Sequence, residues 1–262
     1  HPRLIQKSCF SFPPASSTTA GKPWFFIKSM RIPMLPKNLL IDLDDTLLEN
    51  NMDTFVPGYY NLLSSTLAEF CPPDRLLPAL MAGSKAMMLN TDPSVTLEES
   101  FDAVFYPRIG ISKPDIAPKI LNFYQNQFNS LQNLTKPIPD AKTLIEKAIE
   151  KGYQIVIATN PLFPRVAIDQ RLNWADLPAE KYPFKLITSY EYFHFCKPNP
   201  KYYLEILSAL SLDAADCLMV GNDLEADIKP SVQAGLQAFH ISKDQNTNEY
   251  QTGTLQDLIR LI

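Results

Sequence analysis

Five short runs of the chain are apolar almost from end to end: Asn38–Leu43, Gln154–Thr159, Phe184–Thr188, Cys217–Gly221 and Gln237–Ile241. A strand that alternates apolar and polar residues keeps one wet face, whereas a strand without alternation is covered on both. Such strands belong to parallel sheets, whose neighbours need a crossover connection, usually a helix. Helical patterns do lie before and between the last four runs. AKTLIEKAIEK opens after Pro139-Asp140 and stops at Gly152, the residue type suited to the left-handed position just past a helix end. A second helix is expected from near Phe163 to just before Trp174, a third from Pro198 through KYYLEILSAL, and a fourth around Leu224–Ala234. This alternation predicts an α/β fold, a doubly wound, parallel, Rossmann-like sheet with helices on both faces.

A direct crossover from the first run to the second needs only about a dozen residues. The chain instead continues from about Asp53 to Lys136 before the second run is near. Within that stretch YYNLLSSTLAEF, RLLPALMAGSKAMML, TLEESFDAVFYPRI and IAPKILNFYQNQF carry apolar residues three and four apart, separated by prolines and short polar breaks. The pattern predicts an α-helical cap domain, residues 53–136, inserted into a core made of residues 30–52 and 137–262. Residues 1–29 differ from the rest, with clustered Pro, Ser, Thr and Gly, basic residues, no acid and no periodicity. They are expected to be an N-terminal extension, disordered or not native, with an organelle transit peptide as the alternative.

Composition narrows the partners. With 45% hydrophobic residues in 262, the chain can bury a sizeable core. The net charge is −4 and no basic stripe is present, so nucleic acid is not an expected partner. No apolar run approaches a membrane span, so a membrane is not expected either. Cys9, Cys71, Cys196 and Cys217 form no C-x-x-C pair, and His1, His194 and His240 complete no zinc pattern with them. A reducing, cytoplasmic setting is the expectation. No feature speaks to oligomeric state.

In an open α/β sheet, ligands bind beyond the carboxyl ends of the strands. The first run ends in Asp42-Leu43-Asp44-Asp45-Thr46 and the second in Thr159-Asn160. Lys197-Pro198 follows the third, and the fourth ends in Gly221-Asn222-Asp223, with Asp227 one helical turn on. Taken singly, each has a structural role to hand. A strand-end Asp forms turns, a Thr fills a strand, a Lys sits in a solvated loop, and an Asp begins a helix. Taken together, at successive strand ends, they predict one rim that gathers carboxylates, a hydroxyl and an amine. Carboxylates at that density repel one another unless cations offset them.

DLDDTL at 42–47, TN at 159–160, KP at 197–198 and VGNDLEADI at 220–228 resemble the four motifs of the haloacid dehalogenase superfamily. The resemblance runs from about Asn38 to Ile241, and the position of the insert is similar to that of the helical cap in one major class of that family. Only about 37 residues separate Asn160 from Lys197, too few for a second cap. Phosphatases dominate such sequences. The resemblance therefore implies a Mg²⁺-dependent phosphohydrolase that acts on a small phosphorylated metabolite through an aspartyl-phosphate intermediate. It implies Asp42 as nucleophile and Asp44 as the acid and base. Asp42, the backbone carbonyl of Asp44 and Asp223 would hold Mg²⁺, a hard ion that takes oxygen ligands. Thr159, Asn160 and Lys197 would bind the phosphoryl group, with Asn222 and Asp227 in support. Many relatives carry an acid directly after the glycine, where this chain has Asn222. Either Asp223 takes the metal directly, which we favour, or the Asn222 amide oxygen does, with both acids behind it. Asp45 is expected in a turn or capping role.

Other readings share the fold. A sugar-phosphate mutase would keep the same core. A phosphonate hydrolase would need a lysine in the insert, for which Lys85 is the candidate. A non-catalytic binding or regulatory protein would be expected to lose Asp42 or Asp44, and both are here. A haloacid dehalogenase needs neither an acid at the Asp44 position nor a metal. His194 and Cys196, beside Lys197, are read as packing residues rather than a catalytic pair. Arg165 is read as a helix residue before a substrate ligand. Asn90, Tyr59 and Arg108 are polar insert residues, and no sequence rule says which of them face the site.

Overall fold

The computed structural model describes residues 35–244 and 249–262, so the expected extension over residues 1–29 lies outside the described residues. A six-stranded sheet has the order β5-β4-β1-β6-β7-β8, with every pairing parallel. Its strands are β1 (Asn38–Ile41), β4 (Gln154–Ile157), β5 (Leu186–Ile187), β6 (Cys217–Gly221), β7 (Gln237–Ile241) and β8 (Gln251–Gly253). Period-two geometry sends successive side chains to opposite faces. Leu39, Ile41, Ile155, Ile157, Leu218 and Val220 join one apolar cluster, and Leu40, Val156 and Met219 join another on the far face. That is why these strands read as unbroken apolar runs.

Helices α5 (Ala141–Glu150) and α6 (Arg165–Trp174) pack with the first cluster, and α7 (Pro200–Leu210) with the second. The α5 helix ends as its sequence requires, with Gly152 at φ +76°. The predicted fourth helix is divided. A π-helical turn covers Leu224–Ile228, and the short α8 (Lys229–Gln233) follows. The third helix begins at Pro200 rather than Pro198, because Asn199 caps it by accepting from the Lys201 amide.

Between β2 (Leu48–Asn50) and β3 (Thr135–Pro137) stand α1 (Met52–Leu67), α2 (Pro73–Leu89), α3 (Leu97–Ile109), α4 (Lys113–Gln125) and a 3₁₀ stretch, Gln127–Leu134. The antiparallel β2–β3 pair closes the base of this insertion. The prolines only partly act as separators. Pro73 and Pro114 sit at helix starts, where the missing N–H is harmless. Pro57, Pro78, Pro107 and Pro118 lie inside helices. Thr96 and Glu99 form a reciprocal capping box that starts α3, and Gly110 in the left-handed region ends it. No helix of the described residues is long and apolar enough to cross a membrane.

The inserted helices share the first apolar cluster with the sheet. Phe55 of α1 is central to that join. It is fully buried and meets Phe128 edge-on at 6.3 Å and Trp174 of α6 at 6.4 Å. Truncation of a buried phenylalanine removes its transfer energy and leaves a cavity. Phe55→Ala is therefore expected to lower unfolding stability by about 3–5 kcal/mol. Denaturant titration followed by Trp fluorescence measures this, and a loss under about 1 kcal/mol would refute the central role of Phe55.

Candidate active site

Register brings the strand ends together. Asp42 N donates to Val220 O at 2.9 Å, and Ala158 N donates to Ile41 O at 2.8 Å. Asp42, Thr159 and Asn222 therefore emerge on one rim, each just beyond a central strand.

Lys197 ties that rim together. Its Nζ donates to Asp42 Oδ1 at 2.7 Å and to Asp227 Oδ1 at 2.6 Å. All three side chains are buried. Burial works against the charge on Lys197, but the two carboxylates outweigh it and hold its pKa well above the ordinary value. The Asp42 carboxyl is pushed up to about 6, because burial outweighs the help of Lys197 and Asp227 adds repulsion. Two carboxylates against one ammonium leave this buried trio with a net negative charge at neutral pH.

The π turn places Asp227. Its amide donates to Asp223 O at 2.8 Å, and its Oδ2 accepts from Asp223 N at 3.1 Å. The Tyr203 hydroxyl, on α7, donates to Ala226 O at 2.8 Å and anchors the turn from behind. Gly221 makes room for the carboxylate, since a Cβ at that position would overlap Asp227. Thr159 is buried, and its carbonyl accepts from Tyr202 Oη at 2.8 Å and Thr188 Oγ1 at 2.7 Å. With its backbone held this way, its own hydroxyl makes no hydrogen bond among the described residues. Asn160 Oδ1 accepts from Lys197 N at 3.3 Å.

Asp44 has different surroundings. Its Oδ1 accepts from Asn50 Nδ2 at 2.9 Å and is paired with the Arg171 guanidinium. The Asp44 side chain remains 30% exposed, while Arg171 is 3% exposed. Burial pulls the Arg171 pKa down to about 10, with Asp42 opposing, so the guanidinium stays charged at neutral pH. Its charge also lies 5.4 Å from the Phe55 ring and 5.5 Å from the Phe163 ring. Sequence reading missed Arg171 altogether. The signal was there: on α6 it lies among Ala167, Ile168 and Leu172, on the buried face where an apolar residue belongs. A buried arginine needs a carboxylate or equivalent partner.

The two fourth-strand candidates separate. Asp223 is exposed, and its Oδ1 accepts from the Glu225 and Ala226 amides at 2.8 and 2.9 Å, which caps the π turn. Asn222 Oδ1 accepts from Thr46 Oγ1 at 3.2 Å, and its carbonyl accepts from His240 Nε2 at 3.0 Å. Among the described residues no three His, Cys, Asp or Glu side chains converge as a metal cage. A cation here would need backbone or amide oxygen beside the carboxylates. The donors on the rim are hard oxygens, and the buried trio carries more negative than positive charge, so the residues fit a hard divalent cation.

The remaining candidates are structural. Asp45 takes a left-handed turn conformation, φ +54°, and its side chain accepts from the Asn50 amide at 2.8 Å. Arg165 pairs with Asp169 one turn along α6. His194 bonds Glu205 at 2.6 Å, while Cys196 is buried, its thiol pushed up to about 12 by burial. Neither forms a nucleophilic pair. Asn90 Nδ2 donates to the carbonyls of Val95 and His194. Lys85 and Arg108 are exposed.

A parallel sheet with a buried lysine–carboxylate rim and an inserted helical segment defines a doubly wound, Rossmann-like α/β protein whose polar groups gather at the strand ends. The model of the haloacid dehalogenase-like hydrolases matches residues 36–235, and the chain belongs to that family. Among solved structures, the chain is similar to a 2-haloacid dehalogenase from Pseudomonas syringae, with TM-score 0.59 and 19% identity over 87% of this chain and 98% of that one. It is also similar to a HAD phosphatase from Thermococcus onnurineus, with TM-score 0.52 and 18% identity over 86% of this chain and 96% of that one. At such identities the likeness speaks for the fold alone. The comparison with curated proteins gave no match.

The glycine at the end of β6 tests the arrangement. Gly221→Ala must displace Asp227 from Lys197, and overpacking of this kind costs about 1–3 kcal/mol. The variant is expected to fold with a lowered Tm, and Gly221→Ser to be worse. A wild-type Tm for both would show that Asp227 does not need this space.

Proposed function

We propose that the protein is a Mg²⁺-dependent phosphomonoester hydrolase that forms an aspartyl-phosphate on Asp42. The observation that carries this reading is a pair of carboxylates, two residues apart, in unlike environments. Asp42 is buried against Lys197, and Asp44 is partly exposed against Arg171 and Asn50. Different surroundings let the two carboxylates take different roles, and Mg²⁺ beside Asp42 would offset the burial that raises its pKa and keep it ionised as the nucleophile. A dehalogenase has no need of the second.

In the first half-reaction an Asp42 oxygen forms a bond to phosphorus as the bond to the leaving oxygen breaks. Asp44, in its protonated form, gives its proton to that oxygen. In the second half-reaction Asp44 takes a proton from water, the water oxygen bonds phosphorus, and the Asp42–phosphorus bond breaks to release phosphate. Thr159 donates its hydroxyl to a phosphoryl oxygen, with Asn160 beside it. Lys197 holds Asp42 in place and supplies fixed positive charge next to the developing negative charge. Asp227 positions Lys197. Asp42, the Asp44 carbonyl and Asp223 would hold Mg²⁺, with Asn222 in support. The bound ion would neutralise the phosphoryl oxygens and the excess negative charge of the rim. The substrate is a small phosphorylated molecule in a cytoplasmic setting, and neither nucleic acid nor membrane enters the reading. Lys85 is exposed on α2, which offers no support for a Schiff base and leaves the phosphonate reading without an observation in its favour.

Release of phosphate from p-nitrophenyl phosphate tests the reading. It should require Mg²⁺, stop with EDTA, and fall about a thousandfold or more in Asp42→Asn. In the absence of substrate, Mg²⁺ should raise Tm near pH 7.5. It should do so much less near pH 5, where a proton occupies an Asp42 carboxyl with its pKa at about 6. Release that survives Asp42→Asn would refute the mechanism.

Arg171 gives an independent prediction. A neighbouring cation favours the carboxylate form of Asp44, so its removal raises that pKa. The first half-reaction needs Asp44 protonated. In Arg171→Met the basic limb of the kcat/KM profile should therefore move to higher pH. An unmoved limb would mean that Asp44 is not the acid.

A further inference from the structure

An apolar cavity of about 200 Å³ lies between the inserted helices and the loop after β4. Its wall includes Val56, Leu80, Phe101, Phe105, Leu162 and Phe163. Three links tie it to the reacting groups. Phe163 lies against Arg171, which pairs with Asp44. Met52, at its edge, receives a hydrogen bond from the same Asn50 amide that bonds Asp44. The Leu162 amide donates to the carbonyl of Asn160, whose side chain accepts from Lys197 N. These contacts link the cavity wall to the Asp44 side of the rim, and Asp44 is the group that protonates the leaving oxygen in the proposed reaction.

Its lining also restricts what can enter. Among the described residues no Lys, Arg or His lines it, and its one charged wall residue is an acid, Asp102, paired with Lys113. The Tyr59 and Tyr124 hydroxyls are bonded to each other at 2.8 Å. A leaving group with a second phosphate or a carboxylate would meet no cation. A polyol would find only the hydroxyls of Ser84, Tyr60, Tyr106 and Tyr190 and the Asp102 carboxylate in an otherwise apolar wall, too few to satisfy its hydroxyls without a cost in affinity. An apolar cavity of about 150 Å³ holds a benzene-sized ligand.

We propose that this cavity receives the leaving group of the substrate, and that the substrate is a phosphate monoester of a neutral, apolar alcohol or phenol with a ring or chain of about six to eight carbons. The proposal rests on the phosphatase reading for its chemistry and on the cavity for its selectivity. It also disfavours a sugar-phosphate mutase, whose substrate carries a polyol and which must bind a second phosphate.

The test compares kcat/KM for ethyl, butyl, hexyl, octyl and phenyl phosphate with that for glycerol phosphate and glucose 6-phosphate. Each added methylene should raise kcat/KM, up to about fourfold, until the cavity is full. Two variants change the cavity without touching the rim: Ser84→Phe fills it from α2, and Val56→Lys, at a half-buried wall position on α1, puts a cation in its wall. Both should flatten the alkyl series and leave inhibition by inorganic phosphate unchanged. A flat series in the wild type, or a preference for the sugar phosphate, overturns the proposal. If the wild type hydrolyses no ester, the phosphatase reading fails separately, and binding of 1-hexanol or phenol by saturation-transfer NMR decides on the cavity. A signal lost in Ser84→Phe keeps the apolar site, and no signal in the wild type refutes it.

Discussion

The ammonium of Lys197, held between Asp42 and Asp227, is the interaction on which the rim depends. An ion group this buried contributes little net stability, because desolvation consumes most of what the attraction returns. Its effect is positional. Lys197 arrives from the loop before α7, Asp42 from the end of β1, and Asp227 from the π turn after β6. An ordinary α-helical start after Asp223 would carry residue 227 along a different path. The π turn, the space left by Gly221 and the Tyr203 anchor together return its carboxylate toward the strand end. Because two acids share one base, the trio keeps unbalanced negative charge, which makes it receptive to a further cation.

Much of this could be read from the chain, for a definite reason. Strands covered on both faces cannot hide their ends, so β6 falls where its apolar run predicts, and the polar residues beyond it stand out; β7 matches its run too, although only Phe239 of it is buried. What escaped reading was short or distant. The pair β2–β3 and the edge strand β8 are three residues each, too few to show a period. The edge strand β5 shrinks to Leu186–Ile187, although Lys185 N and Thr188 N extend its ladder to β4 at 2.8 and 3.1 Å. Helix-internal prolines misled because each removes one backbone donor without breaking the packing of its helix's apolar face. Arg171 escaped because its partner is 127 residues away in sequence, and only the mismatch of a charge on a buried helix face announced it.

The fourth-strand acids show where residue identity stops short of role. Asp223 and Asp227 are four apart and chemically alike, yet one is exposed and caps a turn, while the other is buried against Lys197. Asn222 stands between Thr46 and the strand end, its amide oxygen already accepting a hydrogen bond. An asparagine there offers an oxygen donor without adding a further negative charge to a rim that already holds an excess of them. Its amide adds no repulsion around Asp42, while Asp223 keeps a carboxylate at the edge.

Arg171 joins the two halves of this arrangement. One side of its guanidinium meets Asp44, the proposed acid, and its faces meet Phe55 of α1 and Phe163 at the cavity wall. A residue that contacts the inserted helices, the cavity and the acid at once makes their positions interdependent. Any shift of α1 that moves Phe55 changes the packing that orients the guanidinium, and with it the placement of the Asp44 carboxylate. An occupant seated against Phe163 would press on the same contact. Filling the cavity and readying the acid are then coupled through one buried cation, so a leaving group that fits the apolar wall would also meet the proton donor in its best position.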